Sequence, residues 1–212
     1  MRPARFFLCS LLLIGCKEGG GTQKSTGAFS PVPAVLGTFE TGVSSPAGTK
    51  WHAVTDKAAG GVSSMTAAVV AGGADGTGHA LHLQGTAKLG DFPFPFAGAR
   101  LAFSPVKGDE PTPMDISSYR GFELWLKGDG KQYLVRFLSS DVRDYNYPHV
   151  VLRAEKQWTK HRTLFSELVQ FDWGEKLAWT GKNIKGLMVT NYNAPGEDPG
   201  ALEFFVDEVK LF

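Results

Sequence analysis

Ten short segments after Val35 alternate apolar and polar residues, and glycine, asparagine, aspartate or proline separates them. A period of two is typical of strands that bury one face, and turn residues at near-regular spacing favour a β-sandwich. The pattern therefore predicts an all-β fold, with one helical turn at 165–169 and a tight turn at Gly128–Gly130. The predicted strands are Lys50–Val54, Met65–Val70, His79–Gln84, Ala97–Phe103, Gly121–Lys127, Tyr133–Leu138, Tyr147–Arg153, Trp158–Leu164, Ile184–Asn191 and Leu202–Phe212.

An apolar run, Phe6–Ile14, precedes the strands and follows two arginines. It is shorter than the roughly 20 residues that span a bilayer, and its layout is typical of a secretory signal. The residues LIGC at 13–16 resemble the lipobox of bacterial lipoproteins, in which the cysteine is lipidated and the chain is cut before it. The resemblance implies a lipid anchor on Cys16, and Lys17 then favours the outer membrane of a Gram-negative cell envelope. An ordinary signal peptide, or a buried helix with an incidental cysteine, is the alternative.

These features divide the chain into a lipoprotein signal peptide (1–15), a lipidated cysteine with a flexible tether (16–33) and one β-sandwich domain (34–212). The tether is rich in glycine, serine, threonine and proline, which favour a flexible chain. Both cysteines, Cys9 and Cys16, lie in the leader or at its end. We therefore expect the domain to be stabilised by packing or by a bound metal rather than by a disulfide.

The charge balance argues against nucleic acid as a partner. Removal of the leader takes two arginines from the 22 Lys and Arg, which leaves 20 against 21 Asp and Glu, a net charge of about −1. The basic residues are not clustered in any stretch of the sequence. Nucleic-acid binding depends on clustered cations that contact phosphates.

Three stretches of the domain carry a resemblance to a known family. They are DISSYRGF at 115–122, LWLKGDG at 124–130 and FVDEVKL at 205–211. They are similar to the complex I intermediate-associated protein 30 domain and to related carbohydrate-binding modules, such as family 11, with a galactose-binding-like jelly roll. The resemblance implies a single jelly-roll β-sandwich in this chain.

A polar and aromatic cluster is the first candidate site for a ligand. Arg136 is followed by DVRDYNYPH at 141–149. Flat aromatic rings and planar charged groups are suited to sugar rings and their hydroxyls. In the similar family 11 modules, Arg, Asp and Tyr from this region line a concave face, and the counterparts here are Arg136, Asp144, Tyr145 and Tyr147. The alternative is a polar hairpin whose aromatic side chains pack on its own rim.

Two further aromatic residues could complete such a groove. Trp173 lies in the stretch FDW at 171–173, and Tyr192 lies in NYN at 191–193. Aromatic residues in loops more often anchor the loop itself, so that interpretation stays open beside sugar contact.

A structural Ca²⁺ is the only cofactor that the sequence suggests. Related jelly rolls bind calcium where the first and last strands meet, and the resemblance places Glu40 and Asp207 there. Calcium takes six to eight oxygen ligands, so two carboxylates need help from backbone carbonyls. Two solvated acids at strand ends are the alternative. The five histidines do not form a zinc set, because His79 and His82 are three residues apart on one strand and face opposite sides.

The function predicted from these features is an outer-membrane lipoprotein that displays a non-catalytic carbohydrate-binding module for polysaccharide or envelope glycan. The main alternative is a protein-interaction or assembly module of the intermediate-associated protein 30 type. A hydrolase on the same scaffold is a third possibility. Its acids would come from Asp141, Asp144, Asp172 or Glu175, and the sequence singles out no pair.

Overall fold

The structure, a computed structural model, describes residues 32–107 and 110–212. Within these ranges the chain forms thirteen strands and two single-turn 3-10 helices, Asp56–Ala59 and Phe165–Glu167, which confirms the all-β prediction. The strands are β1 (Val35–Gly37), β2 (Trp51–Thr55), β3 (Ser64–Ala71), β4 (His79–Ala87), β5 (Ala97–Ala102), β6 (Val106–Lys107), β7 (Glu110–Pro111), β8 (Gly121–Gly128), β9 (Gln132–Ser139), β10 (His149–Arg153), β11 (Thr159–Leu164), β12 (Ile184–Asn191) and β13 (Gly200–Leu211).

The predicted signal peptide, Cys16 and the tether as far as residue 31 lie outside the described residues. Among the helices that are described, neither has the length or hydropathy to cross a membrane.

Two antiparallel sheets form a single jelly-roll sandwich, as the family resemblance implies. One sheet has the strand order β11-β8-β13-β4-β3, and β1 also pairs with β13. The other has the order β10-β9-β12-β5-β2, while β6 and β7 form a separate hairpin. Each of the ten predicted strands is present with boundaries shifted by a few residues, and the short strands β1, β6 and β7 were not predicted.

The turn after Gly128 connects the two sheets. Gly130 has a φ of 83°, a left-handed conformation that glycine adopts without a steric cost. The strands on either side, β8 and β9, belong to different sheets. The predicted tight turn is therefore correct, but it crosses the sandwich instead of closing a hairpin.

Inward-facing side chains of both sheets form the core between them. On β8 the alternate residues Phe122, Leu124 and Leu126 are fully buried, as the alternation predicts. They meet β9, where Phe137 packs edge-on against Phe122 with ring centroids 5.3 Å apart. The outward faces of the two sheets are thus left as the surfaces on which a ligand could bind.

The first described residue, Val32, already belongs to this core. Val32 is 1% exposed, although composition assigned it to the tether, and its carbonyl accepts a 2.6 Å hydrogen bond from the hydroxyl of Tyr119. Farther along, the backbone N–H of Leu211 donates to the carbonyl of Ala34 at 2.7 Å. The start of the described chain is therefore fixed against the last strand of the six-stranded sheet.

Candidate functional site

The outward face of the five-stranded sheet carries a row of long polar side chains. The strand register places five residues opposite one another in sequence across the sheet: His149, Arg136, Met188, Arg100 and His52. Because side chains on neighbouring strands at paired positions point to the same side, these residues share one face. Arg100 and Arg136 therefore flank Met188 on the two sides of the central strand β12.

Two glycines, Gly98 and Gly186, keep the floor of this face low on either side of the row of five residues. A Cβ built on Gly98 would lie 1.9 Å from the carbonyl oxygen of Val189, and one on Gly186 would lie 2.2 Å from that of Leu101. Real side chains do not approach a backbone so closely, so β5 and β12 can pair at this spacing only with glycine at these positions. The face is consequently shallow at these two positions, and the longer side chains of the row lie between them.

Tyr147 reaches the two arginines from the loop before β10. Burial raises the pKa of its hydroxyl and Tyr145 adds to the rise, whereas the positive charges of Arg100 and Arg136 act in the opposite direction. Burial lowers the pKa of Arg136 to about 10, so its guanidinium stays charged at neutral pH. Burial also lowers the pKa of His149. At neutral pH the positive charge of this face is therefore carried by the arginines.

Tyr145 stands at the rim of the same face. It is 78% exposed, its φ is 66°, and its ring packs edge-on against Tyr147 with centroids 6.4 Å apart. A non-glycine residue with positive φ is uncommon and worth attention, since such strained positions cluster at functional sites. An exposed ring in this position can contact a molecule lying over Tyr147.

Asp144 precedes Tyr145 in the loop before β10, and its side chain bonds this loop to a second one. Its carboxylate accepts hydrogen bonds from the backbone N–H of Glu175 at 2.7 Å and of Asn146 at 3.1 Å, and these bonds lower its pKa. The side chain therefore fastens the segment 170–175 to the loop before β10. Ligand contact by Asp144 stays a prediction.

Three aromatic rings lie nearly parallel at the edge of the face. Phe171 has its ring 12° from that of Trp173, at 5.8 Å between centroids, and 6° from that of Tyr192, at 6.4 Å. Phe171 also packs on His149, at 4.2 Å. Trp173 is 51% exposed and Tyr192 is 40% exposed, so both rings present surface to solvent.

Asn146 holds this aromatic segment in place. Its buried amide donates to the carbonyls of Phe171, at 3.1 Å, and of Trp173, and its oxygen accepts from the Phe171 N–H at 2.9 Å. Backbone bonds between Val169 and His149, 2.9 Å in both directions, attach the same segment to the edge of β10. The rings are thus positioned by the folded chain before any ligand arrives.

Beyond Tyr192 the face continues into an open cavity of about 580 Å³. Its walls come from the ends of β9, β10 and β12 and from the loop before β13. The lining includes Lys131, Gln132, Arg153, Tyr192 and Asn193. A long ligand on the face would leave through this polar opening.

The structure brings together most of the residues that the sequence indicated. Tyr145 and Tyr147 pack on each other, Asn146 between them in the chain holds the segment with Trp173, and Phe171 of that segment stacks with Tyr192. Sequence reasoning missed Arg100, which is 36 positions from Arg136 in the chain. The only signal for it was an isolated charge in a strand of small residues, AGARLA at 97–102.

Glu40 and Asp207 both contact the loop between β3 and β4. Glu40 accepts from the backbone N–H of Gly78 at 2.8 Å, and the buried Asp207 accepts from the hydroxyl of Thr77 at 2.7 Å and the N–H of Ala74 at 2.9 Å. Burial raises the pKa of Asp207. In the described part of the chain no group of three or more His, Cys, Asp and Glu side chains could hold a metal ion. Calcium at Glu40 and Asp207 stays a prediction.

A melt with and without EDTA tests this calcium prediction. A bound ion stabilises the folded state by mass action, so chelation is expected to lower the melting midpoint, and added Ca²⁺ to restore it. An unchanged midpoint would contradict the calcium hypothesis. The two carboxylates would then only hold the loop between β3 and β4.

The fold is a jelly-roll β-sandwich like that of carbohydrate-binding modules. The chain belongs to the complex I intermediate-associated protein 30 (CIA30) family, whose model matches residues 40–190. The resemblance stated from the sequence is therefore confirmed.

Solved structures support the same class of fold. The family 11 carbohydrate-binding module of a cellulosomal cellulase of Clostridium thermocellum has a TM-score of 0.58 at 14% identity, over 87% of this chain and 96% of that one. The Clostridium thermocellum family 11 module in complex with a β-1,3-1,4-mixed-linked tetrasaccharide has a TM-score of 0.53 at 15% identity, over 76% and 88%.

One relative in sequence is endoglucanase 3 of Fibrobacter succinogenes (strain ATCC 19169 / S85). It is 26% identical over 195 residues, which cover 85% of this chain. The chain spans 28% of the length of that enzyme.

Proposed function

We propose that this chain is a non-catalytic carbohydrate-binding module that holds a polysaccharide on the outward face of its five-stranded sheet. The observation that carries the proposal is the composition of this face. It combines the aromatic side chains Tyr147, Trp173 and Tyr192 with two arginine side chains. Binding sites for small ligands commonly combine such aromatic surface with a few placed polar groups.

The shape of the face suits an extended sugar chain. Aromatic rings offer flat apolar surface to the C–H side of a sugar ring, while guanidinium and phenol groups bond its hydroxyls. The opening beyond Tyr192 lets a long chain continue past the module. Because such contacts replace equally good contacts with water, we expect moderate affinity.

Three of the four candidate acids, all but Glu175, are bonded to other groups of the loops, which supports a non-catalytic role. Asp144 accepts two backbone N–H groups, Asp172 pairs with Lys176 at 2.6 Å, and Asp141 accepts from the amide of Asn183 at 3.0 Å. Glycoside hydrolysis needs two carboxyl groups facing the same bond. Each of these three acids instead forms a hydrogen bond or an ion pair with a different partner.

Display on the outer membrane is part of the proposal and rests on the lipobox-like residues that end at Cys16. Several acyl chains anchor a protein far more firmly than one, and the tether then holds the module at a high local concentration. Labelling with radioactive palmitate tests the anchor. A Cys16→Ala chain that is labelled as strongly as the wild type would contradict it.

Aromatic truncation tests sugar binding directly. Tyr147→Ala, Trp173→Ala and Tyr192→Ala are each expected to weaken binding to a captured polysaccharide about tenfold, because a central interface aromatic contributes more than about 1 kcal/mol. A glycan array identifies the polysaccharide, and affinity electrophoresis of each variant measures the loss.

Trp158→Ala is the matched control for these variants. Trp158 lies on the outward side of the six-stranded sheet, where its ring packs edge-on against Phe205 at 6.2 Å. If only this variant lost binding, the ligand would lie on the other sheet. Silence of the wild-type protein across all glycans would favour the protein-interaction alternative, and turnover of chromogenic glycosides or esters would favour a hydrolase.

A further inference from the structure

The five strands of the sheet that carries the proposed binding face contain no acidic residue. Asp and Glu are absent from all five sequences, WHAVT, AGARLA, QYLVRFLS, HVVLR and IKGLMVTN. The six-stranded sheet differs, since β8 and β13 carry Glu123, Glu203, Asp207 and Glu208. Any acid near Arg100 and Arg136 must therefore come from outside this sheet.

The two arginines of this face have no anionic partner within the described residues. Every ion pair there involves other cations. Glu110, which contributes to the raised pKa of the Tyr147 hydroxyl, pairs with Lys185 at 3.2 Å. The buried Nε of Arg100 makes no hydrogen bond. A desolvated cation without such compensation is unfavourable, so its retention calls for another partner.

Packing on aromatic rings does not explain these guanidiniums either. In the described chain, cation–π contacts involve Lys127 and Arg162, which belong to the other sheet. Arg100 and Arg136 are also the two arginines that are not exposed in residues 32–107 and 110–212. Their placement differs from that of solvated surface arginines.

The spacing of the two arginines matches an extended ligand. They stand at paired positions on β5 and β9, with only β12 between them, so their Cα atoms are about 10 Å apart. Both side chains lie on the same outward face, so one ligand that extends across β12 can reach both. A chain with repeated anionic groups can engage both.

We infer that the polysaccharide held by this face is acidic, with uronic-acid carboxylates bound by Arg100 and Arg136. The inference rests on the proposed carbohydrate-binding function and specifies its ligand class. A planar carboxylate matches the fork of a guanidinium and accepts two parallel hydrogen bonds. Tyr147, close enough to both arginines for their charges to act on its hydroxyl, supplies a hydroxyl donor to the same chain.

Matched polymers test this inference with the full chain. Affinity electrophoresis is run in polygalacturonate, in alginate, in the carboxyl-reduced form of each, and in neutral mixed-linked glucan. We expect binding to at least one uronate polymer, about tenfold weaker binding to its reduced form, and further weakening as salt is raised. Arg100→Gln and Arg136→Gln are each expected to weaken the uronate interaction about tenfold.

Arg120→Gln is the control, because Arg120 is exposed and outside the five-stranded sheet. The melting midpoints of Arg100→Gln and Arg136→Gln are expected to stay within about 2 °C of the wild type, since no described protein partner is lost. A large fall would reveal an internal partner and overturn the inference.

Binding to neutral glucan, with no gain from carboxyl groups, would overturn the inference and leave the proposed function standing. Binding to a sulfated polymer without carboxylates, such as dextran sulfate, but to neither uronate polymer would overturn the choice of carboxylate. Absence of binding to every polysaccharide would overturn both.

Discussion

Replacing Asn146 with alanine is expected to lower both the stability of the protein and its affinity for polysaccharide. The variant leaves the Phe171 N–H and two carbonyls without their buried amide partner. Unsatisfied buried groups cost about 1–3 kcal/mol, so we expect a loss of about 3 kcal/mol and a midpoint about 6–12 °C lower. Because Phe171 and Trp173 lose their positions, binding is expected to fall about tenfold or more.

Hydrogen exchange at the Phe171 amide distinguishes local release from general destabilisation. We expect this amide to exchange faster in Asn146→Ala while amides of the core strand β9 stay protected under folding conditions. Glu175→Ala is the matched control, because Glu175 is an exposed residue of the same segment. Wild-type affinity in a destabilised Asn146→Ala would show that the aromatic segment takes no part in binding.

The second large effect is expected at Asp56, a buried carboxylate near one end of the sandwich. It accepts from the Ser63 hydroxyl at 2.5 Å, the Ser63 N–H at 3.0 Å and the Phe96 N–H at 3.1 Å. The Ser63 hydroxyl oxygen in turn accepts from the N–H of Lys88 at 3.0 Å. This network joins the ends of β2 and β4 to the starts of β3 and β5, and so links the two sheets.

Asp56→Ala is expected to reduce the free energy of unfolding by about 4 kcal/mol, because three donors lose a charged acceptor in the interior. The melting midpoint should fall by about 8–16 °C. Asp56→Asn keeps one oxygen acceptor and is expected to lose less. Asp91→Ala, at an exposed position, serves as control in the same calorimetric series. Equal stability of Asp56→Ala and Asp91→Ala would mean that the network contributes nothing.

The strands of this protein could be predicted well because their signal is local. Alternation on β8 places Phe122, Leu124 and Leu126 on one face whatever the partner strands are. Partner choice is not local, however. The turn at Gly128–Gly130 was predicted correctly, but the pairing of β8 with β11 and β13 depends on residues far along the chain. The strands β1, β6 and β7 have only two or three residues, too few for a period to be visible.

The site residues, like the strands, could be predicted where their signal was local. Tyr145 and Tyr147 were found because aromatic and polar residues are concentrated in nine consecutive positions. Arg100 was not found, because only the order β9-β12-β5 brings it beside Arg136. In the sequence, Asn146 is only one polar residue of that cluster. In the structure its fully buried amide holds a loop that begins more than twenty residues later.

The close approach of β5 and β12 limits how this module can diversify. Since Gly98 and Gly186 have no room for even a methyl group, these two positions of the face cannot acquire a side chain. New ligand preferences can instead arise at the arginines and in the surrounding segments, where Tyr145 and Trp173 project to solvent and insertions are tolerated. A library that randomises those segments should yield altered selectivity, while one that randomises Gly98 and Gly186 should mostly yield unfolded protein.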